Sequence, residues 1–259
     1  GCIFNNNINF DFNHFQNINN LLSHRGPDNS SALNLENGKQ SIYLGFNRLS
    51  IRDLSSNGNQ PMFSKNQQYV ILFNGEIYNH IELIKDLNNS NFHFTSSSDT
   101  EVLLEYFVKN GPSHLDKVEG MYAFAIYDIK NKIFHLVRDR VGEKPLYLYF
   151  NKNCFGFSSD LKTISNFPNF NKKISNSAFY NYLIYNYIPN PETIYKNCFK
   201  LPQATYLKID LNNFSLDLEE NFENLKSKNG IHIKKYWNLE FSNKNNNSYS
   251  FDNELHNLD

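Results

Sequence analysis

Cysteine is scarce in this 259-residue chain, with three residues at positions 2, 154 and 198. They are widely spaced and odd in number, so a disulfide framework does not fit. No C-x-x-C pair and no His/Cys cluster is present, which argues against zinc. A reducing, cytoplasmic setting suits this usage. An excess of one charge is also missing: 25 Lys+Arg against 26 Asp+Glu leave a net charge of -1. With no basic stripe, nucleic acid and anionic membrane are poor partners. No apolar run is long enough to span a bilayer, and the start lacks the basic and apolar regions of a signal peptide. There is no internal repeat. An initiator Met is absent and the end reads as the start of a helix, so the chain is expected to be an excerpt at both ends.

What is present is enough apolar material for a core, 40% hydrophobic and 15% aromatic residues, in one domain or one domain plus an extension. Asparagine clusters such as "FNNNINFDFN" allow a prion-like reading. Apolar patterning continues between them, which favours a globular protein. Short apolar or alternating runs at 41–46, 69–73, 122–128, 133–139, 145–150, 154–159 and 205–211 predict strands. "DIKNKI" and "FNKNCF" predict hairpin turns, hence antiparallel sheets. Helices are predicted over 12–24, 98–111 and 176–189. The second has Ser98 and Glu101 as a capping signature and Gly111 as its stop; Pro189 ends the third. The class is α+β. Residues 212–234 read as a polar surface excursion, and 242–248 as a linker.

Three stretches carry candidate chemistry. In "YVILFNGEIYNH" an apolar strand ends in Asn74, Gly75 and Glu76. An Asn amide next to a Gly N–H offers two donors with no side chain in the way, as an oxyanion hole needs; a plain Asn-Gly hairpin turn is the alternative. Arg48 ends another apolar run and could clamp a carboxylate bidentately, or form an ordinary salt bridge. Asp99 follows Ser98 at a helix start, where capping alone would explain it. Together the residues form a complementary set: Arg48 for an α-carboxylate, Glu76 and Asp99 for an α-ammonium, Asn74 and Gly75 for an oxyanion. The ligand they describe is an amino acid with a side-chain carbonyl. No metal site is expected.

The sequence resembles the glutaminase domain of glutamine-hydrolysing asparagine synthetases, among the class II (N-terminal nucleophile) glutamine amidotransferases. The matching stretches run in order: "HRGPD" (24–28), "RLSIRDL" (48–54), "QPM" (60–62), "FNGEIYNH" (73–80), "SDTEVLLEYF" (98–107), "VEGMYAFAIYD" (118–128), "RDRVGEKPLYLY" (138–149), "YIPNPETIY" (187–195), "KLP" (200–202) and "YW" (236–237). The resemblance implies an αββα sandwich of two antiparallel sheets between helices. It gives a glutaminase domain over 1–241, with 242–259 a polar linker and the start of a missing C-terminal synthetase domain. It assigns Arg48 to the glutamine α-carboxylate, Glu76 and Asp99 to the α-amino group, and Asn74 and Gly75 to the oxyanion hole. It implies hydrolysis of glutamine to glutamate and ammonia, the ammonia passing to the synthetase domain, where ATP and Mg²⁺ are used. No cofactor is expected in this chain, and dimerisation is common among relatives. The alternatives are the same domain feeding another acceptor, or a non-catalytic glutamine-binding module. Hydrolysis of other amides fits poorly, because Arg48, Glu76 and Asp99 describe a free amino acid. "HRGPD" and "RDRVGEKPLY" read as tight turns with Arg–Asp support.

The family nucleophile is a Cys exposed as residue one, its own α-amine serving as base. Here the chain opens "GCIF". Either the nucleophilic Cys precedes Gly1 and Cys2 is a structural thiol in the first strand, or Cys2 is the nucleophile after loss of Gly1. The first is preferred because it restores a Cys-Gly pair and because a Gly1 amide would block the amine that Cys2 needs. Cys154 and Cys198 are expected to be inert, in a strand and in the loop before "KLP".

Overall fold

The computed structural model describes residues 1–5, 10–38, 40–88, 92–151, 154–214, 222–225 and 228–240. The expected linker over 242–259 lies outside the described residues. Two six-stranded antiparallel sheets face each other. In spatial order the first holds β10 (Cys198–Lys200), β8 (Tyr147–Asn151), β9 (Cys154–Ser158), β1 (Cys2–Asn5), β3 (Gln40–Arg48) and β2 (Asn29–Asn37). The second holds β12 (Ile231–Lys235), β11 (Thr205–Asp210), β7 (Ile133–Arg138), β6 (Gly120–Asp128), β5 (Tyr69–Ile77) and β4 (Met62–Phe63). The helices are α1 (Phe12–Asn20), α2 (His80–Asn88), α3 (Asp99–Asn110), α4 (Leu161–Ile164), α5 (Asn176–Tyr185) and α6 (Phe222–Leu225).

Strand periodicity sorts the side chains into three apolar layers. Along β5, Val70 and Leu72 turn toward the first sheet, while Ile71, Phe73 and Ile77 turn toward α2 and α3. Along β1, Ile3 enters the inter-sheet core, while Cys2 and Phe4 join Phe15, Ile18 and Ile164 on the other face. A strand covered on both faces reads as a continuous apolar run, as "YVILF" and "CIF" do. The layers are thus helix, sheet, sheet, helix, the expected αββα sandwich. The turn in "DIKNKI" is made by Lys132 at φ +58 and by Asp128 accepting the Asn131 N–H at 2.9 Å. The strands flanking the other predicted turn pair as Asn151↔Cys154, and its two tip residues lie outside the described set.

Four local expectations are corrected. Helix α3 has its Ser98 cap and Gly111 stop, but Glu101 does not turn back to Ser98. Its carboxylate accepts from the N–H and hydroxyl groups of Thr95 and Ser96 instead. Helix α5 ends at Asn186, left-handed at φ 58, before Pro189 is reached. Cys198 lies in β10, not in a loop. Described residues after 212 do not all run over the surface: Phe214, Phe222, Leu225 and Ile231 insert into the inter-sheet core, and 231–235 forms an edge strand. Sparse apolar residues among polar ones suffice there, because each enters the core singly.

Candidate active site

The edge of β5 builds the site. In an antiparallel ladder the N–H and C=O of one residue point to the same side. Tyr122, opposite Gly75, bonds Asp139 through both its N–H and its C=O, so this pair is not the hydrogen-bonded kind. The Gly75 N–H therefore points away from β6, like those of Phe73 and Ile77. On that side β4 pairs only with Val70 and Ile71, which leaves the end of β5 without a neighbouring strand among the described residues. Side chains replace it. Gln60 caps Phe73, accepting its N–H at 2.6 Å and donating to its C=O at 3.1 Å. Asp99, the first residue of α3, accepts the Ile77 N–H at 2.9 Å. Gly75 lies between the two and turns its N–H into the cleft.

The position demands glycine. Gly75 has φ +154, and a Cβ there would lie 2.1 Å from the Met121 carbonyl oxygen. Asn74 and Gly75 are therefore part of a strand and not a hairpin turn. Next to Gly75, the Asn74 Nδ2 is buried with no hydrogen-bond partner.

Arg48, Glu76, Asp99, Asn74 and Gly75 share one cleft of about 310 Å³, with Gln60, Thr100 and Met121 also on its wall. Burial pushes the Asp99 carboxyl above its usual range, opposed by the Ile77 N–H bond and the Arg52 charge, while Glu76 adds to the rise. Arg48 is buried and anchored: Nη1 donates to the Ser55 C=O at 2.7 Å and to Asn59 Oδ1 at 2.8 Å, and Nη2 donates to the Asp53 C=O. Three of its five donors thus hold the segment after β3 in place.

Cys2 is not in this cleft. It is fully buried on the outer face of the first sheet, and burial pushes its thiol far above the usual range. Gly1 is nearer the chemistry. It lines a cavity of about 130 Å³ that shares Phe73 and Asn74 with the cleft. Its nitrogen donates to the Phe157 C=O at 2.9 Å. Cys154 and Cys198 are buried free thiols. Among the described residues no group could hold a metal ion, and no helix is long and apolar enough to cross a membrane.

The two stretches read as turns support the site from behind. Asp139, fully buried, accepts backbone N–H groups from Tyr122, Val141, Gly142, Glu143 and Lys144. Arg138 donates to the carbonyls of Gly142, Lys144 and Leu201. Each ties backbone rather than the other's charge. Arg25 donates to Ser159, while Asp28 accepts the Ser50 N–H at 2.6 Å. Sequence reasoning missed Gln60 and Arg52 as site residues. Both fall inside the quoted motifs, and nothing about their local pattern marked them.

Comparison with known proteins agrees with this geometry. Residues 2–222 match the family model described as a glutamine amidotransferase domain. The chain is 38% identical over 210 residues to the putative asparagine synthetase [glutamine-hydrolyzing] 2 of Methanocaldococcus jannaschii, covering 75% of this chain and 40% of that protein. It is 35% identical over 177 residues to asparagine synthetase [glutamine-hydrolyzing] 1 of Bacillus subtilis, covering 68% of this chain and 27% of that protein. The chain thus spans well under half the length of these relatives. Its fold is like that of a solved allosteric regulatory enzyme of purine biosynthesis, with a TM-score of 0.59 and 16% identity over 91% of this chain and 48% of the other. A solved glutamine phosphoribosylpyrophosphate amidotransferase of B. subtilis is similar at a TM-score of 0.57. With these matches added to the cleft, the chain belongs to the glutamine amidotransferase domain family, as a homologue of the glutamine-hydrolysing part of asparagine synthetases.

Proposed function

We propose that this domain, completed by a cysteine before Gly1, hydrolyses glutamine to glutamate and ammonia through a cysteine thioester. The unpartnered Asn74 Nδ2 carries the reading. A buried donor without a partner is destabilising by roughly 1–3 kcal/mol. It is useful where a negative oxygen develops in a reaction. Asn74 and the Gly75 N–H would stabilise that oxyanion. Glu76 and Asp99 would hold the α-ammonium, and Arg48 the α-carboxylate. Thiolate attack forms the C–S bond. The C–N bond then breaks as the nitrogen takes a proton and leaves as ammonia. Water cleaves the thioester, releasing glutamate and restoring the thiol.

The nucleophile is assigned to a Cys preceding Gly1 in the full-length protein, and Cys2 to packing. The position of Gly1 on the cavity wall and the burial of Cys2 on the opposite face support this. The ammonia acceptor is assigned to a C-terminal synthetase domain that uses ATP and Mg²⁺, because the relatives named above are asparagine synthetases much longer than this chain. No cofactor is assigned to the chain itself. Three buried free thiols fit a reducing cytoplasm.

Helix α5 is the surface assigned to that domain. Six of its apolar residues, from Phe179 to Tyr185, are 48–69% exposed, and only Ala178 is buried. A helix apolar on all sides is a helix that something covers. The last described residues are linked to the same region: Tyr236 N–H bonds the Ala204 C=O, and Gln203 accepts from Asn190, just beyond α5.

The test is a glutaminase assay on three forms with verified N-terminal masses: the chain as given, the chain with Met-Cys before Gly1, and that extended form with Cys2→Ala. Activity in the two extended forms alone is expected. Activity in the chain as given, lost on Cys2→Ala, would name Cys2 as the nucleophile. Silence in all three folded forms would remove the glutaminase reading.

A further inference from the structure

The cleft holds a cation that the glutamine reading does not use. Arg52 lies on the exposed segment after β3, and its Nη1 is 3.5 Å from Glu76 Oε1. Its guanidinium also lies against His80, with Nη1 3.3 Å from Nδ1 and Nη2 3.3 Å from Nε2. A neutral imidazole has one acceptor nitrogen, so both approaches cannot be hydrogen bonds. One of them is a hydrogen bond from the guanidinium to whichever ring nitrogen carries no proton. The same charge reaches Asp99, where Arg52 and Glu76 act in opposite directions on the carboxyl.

Glu76 and Asp99 are the two carboxylates assigned to the α-ammonium of glutamine. In the ligand-free cleft a guanidinium already pairs with Glu76. Arg48 and Arg52 differ in the freedom they have. Arg48 is buried, bonded to three backbone or side-chain oxygens, and packed so closely on Gly58 that a Cβ there would lie 2.3 Å from its Nη2. Arg52 is about one-third exposed, with one long ion pair and one contact to the His80 ring. Exposed pairs of this kind are worth roughly 0.2–1 kcal/mol, so the guanidinium can leave at little expense.

Resting on the glutamine reading, we propose that Arg52 is a built-in occupant of the ammonium seat. It pairs with Glu76 when the site is empty and swings aside when the α-ammonium of glutamine arrives. Arg52 thereby competes with substrate and sets its affinity. A ligand lacking the α-ammonium leaves Arg52 in place and does not feel the competition.

The test is calorimetric titration of the protein, of Arg52→Leu and of Arg52→Lys with glutamine and with its des-amino analogue, 4-carbamoylbutanoate. Carboxyl NMR titration of Asp99 in the ligand-free proteins accompanies it. Arg52→Leu is expected to bind glutamine about 1.4- to 5-fold more tightly, the range set by one exposed ion pair, with no tightening for the des-amino analogue. Asp99 is expected to titrate higher in Arg52→Leu, and Arg52→Lys to fall between the two. In the active form KM should drop by the same factor with kcat unchanged. Weaker or unchanged glutamine binding by Arg52→Leu, with binding by the parent protein intact, overturns this inference alone. No binding of glutamine by either protein overturns the glutamine reading and this inference with it.

Discussion

Helices α3 and α5 are both rich in apolar residues and have opposite surroundings. In α3 nine residues, Asp99 to Phe107, are buried, the five apolar ones in one cluster with residues of α2, β5 and β6. In α5 the "AFYNYLIY" stretch buries only Ala178. The difference separates two uses of apolar sequence. Helix α3 carries Asp99 at its first turn, so burying its apolar face fixes a carboxylate within 2.9 Å of the Ile77 N–H. Helix α5 is tied to the domain through polar bonds from Ser177 and Asn181 to Glu192, and its apolar surface is uncovered by the described residues. Sequence pattern marks both as helices, but only packing tells which is interior.

The comparison is broken most severely at its buried end. Leu104, fully buried in α3, should lose about 2–5 kcal/mol of stability on Leu104→Ala, the usual range for a core leucine, measured by chemical denaturation. A loss below about 1 kcal/mol would mean that α3 is not packed as described.

Asn74→Ala tests the cleft that α3 helps to hold. In the form extended by Met-Cys, kcat should fall roughly 10²–10³-fold, the scale of one oxyanion donor. Stability should hold or rise, because the lost Nδ2 had no partner. A rate loss under about threefold would move the oxyanion hole elsewhere.

His135 sharpens the comparison through pH. It packs edge-on to Phe107 of α3 at 5.0 Å, and its Nδ1 lies 2.8 Å from Tyr206 Oη. Burial lowers its pKa from 6.5 to about 4. The unfolded chain therefore takes up a proton more readily than the folded one between those values. The stability from a neutral His135 is complete above pH 6.5 and is lost as pH falls toward 4, amounting to on the order of 2 kcal/mol by pH 5. The gap in stability between the protein and His135→Leu should shift by that amount between pH 7 and pH 5. A constant gap would show that His135 titrates normally.

The smallest effect belongs to α5. Leu183→Ala should change stability by no more than about 0.5 kcal/mol, since Leu183 is 62% exposed. In the full-length protein, amide exchange over 176–185 should be slower than in this chain alone. Equal exchange in the two would leave α5 uncovered by the rest of the polypeptide. A concentration-dependent dimer of this chain, broken by Ile184→Asp, would assign the surface to a second copy.

Sequence alone determined the strand ladder, the antiparallel hairpins, the α+β class and the Ser98 and Gly111 ends of α3. These depend on local alternation and on backbone preferences a few residues long. It also named the residues that meet in the cleft, Arg48, Asn74, Gly75, Glu76 and Asp99, through motifs in a fixed order. Tertiary structure alone decided which way each of them points. The Gly75 N–H turns outward because Tyr122 is engaged by Asp139, far along the chain. Cys2 faces α1 and not the cleft because its strand lies between β3 and β9 in one register. Arg52 meets Glu76 and His80 only because the segment after β3 folds over the end of β5. Periodicity shows that a residue is apolar or charged, whereas the side of the sheet it occupies and the group it meets are set by pairings between distant segments, which no local pattern contains.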